Sequence, residues 1–124
     1  MNTQRMMMTA CVVLALGCAG SYPPPTQQMA DVQSANRSAT ELGAQKNPRA
    51  ELHLKLAEEQ LNLAQKAIAD DDNERATNLL MRAKADAELA VALTREDDAK
   101  QQEKNAVDQA SSKRSTIEQI GAAQ

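Results

Sequence analysis

Residues 48–69, PRAELHLKLAEEQLNLAQKAIA, decide the fold. Ala50, Leu54, Ala57, Leu61, Ala64 and Ile68 recur at alternating steps of four and three, the spacing that lines apolar side chains along one seam of an α-helix. Glu51, Lys55, Glu58, Glu59, Gln65 and Lys66 occupy much of the remaining surface and face water. Leu52, Leu56 and Leu63 lie off the seam and offer a second apolar flank to a further helix. Asn47 suits the N-cap, where its side-chain oxygen accepts from an unpaired backbone N–H. Pro48 suits the first helical position, where its missing N–H costs nothing.

Working outward toward the C-terminus, DDDNE (70–74) interrupts the pattern. Asp71 followed three residues later by Glu74 reads as a capping box, and acids favour a helix N-terminus. A calcium loop counted from Asp70 would need Gly sixth and Glu twelfth, but those places hold Arg75 and Met81. The next helix starts at about Asn73 and reaches at least Thr94, with Ala76, Leu80, Ala83, Ala87 and Ala90 as its seam and Leu79, Leu89 and Leu93 beside it. Alanines let two helix backbones come close, so the pair predicts a tight antiparallel hairpin. Its connection is as short as helix–helix turns commonly are.

On the other side, about Thr26 to Leu42 carries Met29, Val32, Ala35, Ala39 and Leu42 at helical spacing, with Gly43 placed to end it. Beyond Thr94, REDDAKQQEKN (95–105) is polar on every face apart from Ala99. Val107, Ala110, Ile117 and Ile120 then form a sparse stripe broken by SSKRS. That segment is either a helical extension standing in solvent or a partly disordered tail, and any use it has is a partner. The expected fold class is all-α: an antiparallel helical hairpin or small three-helix bundle with a long C-terminal helical extension.

Composition agrees. The 124-residue chain has no Phe or Trp and one tyrosine, Tyr22, so any core must come from Leu, Ile, Val, Met and Ala. Such a core is thin, which leaves modest stability or self-association. The 14 basic and 17 acidic residues give a net charge of −3. An acidic balance with a single aromatic residue argues against a nucleic-acid partner, which needs phosphate neutralisation and base stacking.

The first residues set the address. Arg5 precedes MMMTACVVLAL (6–16), whose only polar residue is Thr9. That run falls short of the about 20 apolar residues needed to span a bilayer and has the form of a secretory signal peptide. Its end, Ala15-Leu16-Gly17-Cys18, resembles the lipobox of bacterial lipoproteins, although their commonest order has Leu three residues before the cysteine. The resemblance implies cleavage between Gly17 and Cys18, a diacylglycerol on the Cys18 thiol and acylation of the new amino group. Two or more chains make a membrane attachment stable. Cys11, with only a few apolar residues before it, is the poorer candidate. Its removal leaves Cys18 alone, which excludes a disulfide framework or a multi-cysteine metal site in the mature chain. Ala19 follows the cysteine, where Asp retains lipoproteins in the inner membrane of well-studied Gram-negative bacteria. The rule implies an outer-membrane protein facing the periplasm, with the periplasmic face of the inner membrane as the alternative. The organisation expected is thus a signal peptide (1–17), a lipidated Cys18 and Pro-rich tether (18–27), a helical domain (28–94) and a polar tail (95–124). The prolines at 23–25 favour an extended spacer.

The segment AELHLKLAEEQLNLAQKAIADDDNERATNLLMRAKADAELAVAL (50–93) is similar to the family catalogued as domain of unknown function 4398. The Leu-Ala-rich helix, the acidic turn and the Ala-Asp-Ala-Glu-Leu-Ala run carry the likeness, over about Asp31 to Thr94. The family's frequent Gly in the turn is absent here. The resemblance implies a bacterial envelope protein, in many members a lipoprotein, with no catalytic residues to transfer.

For function, the leading expectation is a non-enzymatic, lipid-anchored envelope protein that scaffolds or binds another envelope protein or a second copy of itself, with no cofactor and no catalytic residue. His53, the single histidine, sits between Leu52 and Leu54 with Glu51 nearby but not at i+3 or i+4, so it lacks a positioned partner for acid–base work. It reads as an ordinary flank histidine. A structural wall-associated lipoprotein is the alternative. The terminal Ala122-Ala123-Gln124 lacks the lysine by which the abundant small lipoprotein joins peptidoglycan. One helix pair of tetratricopeptide type would not bury its faces alone.

Overall fold

The computed structural model describes residues 22–123. It is all-α: α1 (Thr26–Glu41), a 3-10 turn (Ala44–Lys46), α2 (Pro48–Ala69) and α3 (Asn73–Ala122). The hairpin of α2 and the first half of α3 is the centre of the molecule, and α1 lies against both.

Each boundary has a local cause. Gly43, at φ 87°, takes the left-handed conformation that follows α1, and its N–H donates to the Thr40 carbonyl at 3.0 Å. Asn47 caps α2, its Oδ1 accepting from Arg49 N–H at 2.9 Å and Ala50 N–H at 3.2 Å, with Pro48 first in the helix. At the far end of α2, Asp71 N–H donates to the Ile68 carbonyl at 3.1 Å and Asp72 N–H to the Ala67 carbonyl at 2.8 Å. This nested pair closes the helix around a left-handed residue, Asp71 at φ 58°. The N-cap of α3 is therefore Asp72, whose Oδ1 accepts from Arg75 N–H at 3.1 Å, one residue later than the capping box places it. Asp71 is engaged in ending the previous helix and does not cap the next.

The seams meet as their spacing requires. Ala76, Leu80, Ala83, Ala87 and Ala90 of α3 are all buried, as are Ala50, Leu54, Ala57 and Ala64 of α2. Leu61 and Ile68 are only half-buried, and Ala67 is buried instead of Ile68. The core falls into two apolar clusters. One gathers Val32, Ala64, Leu80 and Ala83, the other Ala39, Ala44, Ala50, Leu54, Ala90 and Leu93. Val32 thus meets the beginning of α3 and Ala39 its middle, so α1 runs parallel to α3 and antiparallel to α2. Between Val32 and Ala39, α1 buries Asn36, whose Oδ1 lacks a hydrogen-bond partner. Thr94, the last buried residue of α3, satisfies its hydroxyl on the Ala90 carbonyl at 2.8 Å.

Past Thr94, α3 continues without interruption to Ala122, and every residue from Arg95 to Ala122 is exposed. The 50-residue helix is about 75 Å long by its rise per residue, of which roughly 42 Å stands clear of the bundle. Of the two expectations for this segment, the helical extension is the one observed.

Candidate functional site

Three polar side chains meet on the hairpin. His53 Nδ1 donates to Asp86 Oδ1 at 2.8 Å, and Gln60 Nε2 donates to Asp86 Oδ2 at 2.7 Å. His53 and Asp86 are partly exposed, at 28% and 21% of their side-chain surface, whereas the Gln60 carbonyl oxygen is buried without a partner. Sequence reasoning looked for a partner of His53 on its own helix and missed Asp86, 33 residues away. The signal was present, because His53, Gln60 and Asp86 each stand one residue before a seam position (Leu54, Leu61 and Ala87). In an antiparallel helix pair those flank positions face one another across the seam, the places where interhelical polar pairs form. Lys84 contacts Asp31 of α1 at 3.7 Å. Asp86, two residues on, is turned about 200° around the helix, toward the side away from α1. The arrangement ties α2 to α3 with both Asp86 oxygens in use. His53 and Gln60 of α2 thus share one carboxylate of α3 across the hairpin.

The segment Tyr22–Pro25 forms a second cluster. The Tyr22 carbonyl accepts from Asn73 Nδ2 at 3.0 Å, Pro25 is buried, and the prolines line a shallow concavity with Thr77 of α3. A backbone of three consecutive prolines has no N–H to satisfy, so it can lie on a helix surface at little desolvation cost. The expected spacer is therefore seated on α3 from Tyr22 onward. This places the chain's entrance, the α2–α3 turn and the start of α3 at one end of the bundle.

The arm of α3 is the third feature. Val107, Ile117 and Ile120 are 61%, 69% and 59% exposed, and their neighbours along the helix are charged, small or hydroxyl residues for the most part. Lys100 pairs with Glu96 one turn back, which holds the Glu96 carboxyl below the usual carboxylate range, first by the hydrogen bond and then by charge. Farther on, Ser111, Ser115 and Thr116 turn their hydroxyls back onto backbone carbonyls of the same helix.

Gly17, Cys18 and Cys11 lie outside the described residues, as do the signal segment and the anchor. Among the described residues no group of three His, Cys, Asp or Glu side chains could hold a metal ion, and no helix is long and apolar enough to cross a membrane. No curated protein and no solved structure matches the chain significantly. The profile of the domain of unknown function DUF4398 matches residues 27–106, beginning in α1, covering the whole hairpin and running into the arm as far as Ala106. The match thus takes in the bundle and the root of its arm, about two thirds of the chain, and the chain belongs to the DUF4398 family.

Proposed function

We propose that the chain is a lipid-anchored, non-enzymatic protein of the bacterial envelope whose arm presents a docking element to another envelope protein. The observation that carries this reading is the exposed length of α3 from Arg95 to Ala122. Most helical stability in proteins comes from packing one face, and this stretch packs none. A helix with Val107, Ile117 and Ile120 in solvent is therefore supported as half of a complex. The anchor is supported by Gly17-Cys18 at the end of the apolar run, and outer-membrane placement by Ala19 after it. That the single histidine is occupied with Asp86 supports a structural role for it.

In-cell photocrosslinking tests the reading, with the reactive residue placed in turn at Val107, Ile117 and, as a control, Glu58 on the wet face of α2. Discrete adducts from the two arm positions, lost in Cys18→Ala, are expected. No adduct from the arm, or the same adducts from Glu58, would overturn it. Metabolic labelling with fatty acid is read in parallel, and label retained by Cys18→Ala would refute the anchor separately.

A further inference from the structure

The seating of Tyr22–Pro25 fixes a polarity for the whole module. The Tyr22 carbonyl is bound to Asn73, the first residue of α3, and Pro25 is buried at the same end of the bundle. From Asn73 the helix runs about 75 Å in one direction, uninterrupted by Pro or by a glycine before Gly121. Cys18 is four residues before Tyr22, so whatever path those residues take, the thiol lies within roughly 14 Å of the seated segment.

We propose that the protein stands on its membrane by the end bearing the α2–α3 turn, with α3 directed away from the bilayer and its tip the most distant part of the molecule. This rests on the lipid anchor at Cys18. Laid flat, the arm would need a basic polar face and a broad apolar one to hold it in the lipid interface. It has neither: Glu96, Asp97, Asp98, Glu103, Asp108 and Glu118 outnumber its five Lys and Arg residues, and its large apolar side chains are three. At the base the exposed Asp70, Asp71, Asp72 and Glu74 outnumber the exposed Lys66 and Arg75 two to one, so an anionic bilayer disfavours close adsorption of the hairpin end and leaves the lipid as the main attachment. A rigid rod held at one end and adhering nowhere else spends its time pointing into water.

Energy transfer to labelled lipid tests the geometry in the full lipidated chain. Cleavage removes Cys11 and acylation blocks Cys18, so Asn78→Cys, near the base, and Gln119→Cys, near the tip, can each carry a donor dye. The proteins are reconstituted in phosphatidylethanolamine–phosphatidylglycerol vesicles bearing an acceptor on the headgroups. The donor at Asn78→Cys should lose most of its emission, and that at Gln119→Cys should keep nearly all. Equal quenching at the two sites, or stronger quenching at the tip, would overturn the orientation. A chain that fails to float with vesicles and shows no quenching at either site would refute the anchor, and the orientation with it.

Discussion

At Asp71 the backbone takes φ 58°, a left-handed conformation that costs an L-residue on the order of 1–2 kcal/mol and a glycine almost nothing. Asp and Asn bear it better than most because their short polar side chains bond locally. Asp71→Gly should therefore raise stability by about 0.5–1 kcal/mol after the extra freedom glycine gives the unfolded chain, visible as a thermal midpoint a few degrees higher. Asp72→Ala, one residue on, should move it the other way by about 1 kcal/mol, because it removes the acceptor for Arg75 N–H. If the two substitutions shift the midpoint in the same direction, the roles of these neighbours are misassigned. Three successive aspartates carry the same chemistry, so sequence alone shows that a cap lies among residues 70–72 and not which one it is. The closing bonds from Asp71 and Asp72 to α2 decide it. Asn47-Pro48 had no such rival nearby, and its reading needed no revision.

The seams of α2 and α3 were legible because period and residue size agreed: the alanines that repeat at seam spacing are the buried ones. What the pattern did not show was which flank α1 would cover, and that choice depends on tertiary packing, with Val32 and Ala39 buried in the two clusters. It half-exposes Leu61 and leaves Leu52 56% and Leu63 38% exposed, with Leu56 half-buried, although all three were the flank expected to meet a third helix. Asn36 escaped notice for the opposite reason, as a polar residue on the buried face of a narrow stripe. The arm carries an ion pair along its own surface, Lys100 with Glu96. Because Lys100 lowers the Glu96 carboxyl below its ordinary value, the pair's contribution is complete above that value and is lost as pH falls through the lowered one. Amide resonances of residues 96–100 should lose helical character on acidification, ahead of the bundle core, and Glu96→Gln should flatten that response. An unchanged acid titration in Glu96→Gln would show that other groups govern the arm.

Across the whole molecule, burial ends at Thr94 while the helix does not. Removing residues 95–124 should therefore leave the melting midpoint of the bundle almost where it was, a change within about 0.5 kcal/mol, since no core side chain is lost. Leu80→Ala, at a fully buried seam position, should by contrast cost about 2–5 kcal/mol and unfold much of so small a bundle at 37 °C. A truncated chain as damaged as Leu80→Ala would mean that the arm packs on the bundle in solution. Since bundle and arm share one helix, they are also coupled mechanically. The bundle grips α3 over roughly 33 Å, from Asn73 to Thr94, and Ile120 lies roughly 40 Å farther out. A sideways pull on the tip is thus applied through a lever longer than its own fulcrum, and the torque falls on the contacts around Ala90, Leu93 and Thr94. An axial pull loads the entire alanine seam in shear at once. The same modest force that leaves the bundle intact when drawn along the helix would prise it open when drawn across.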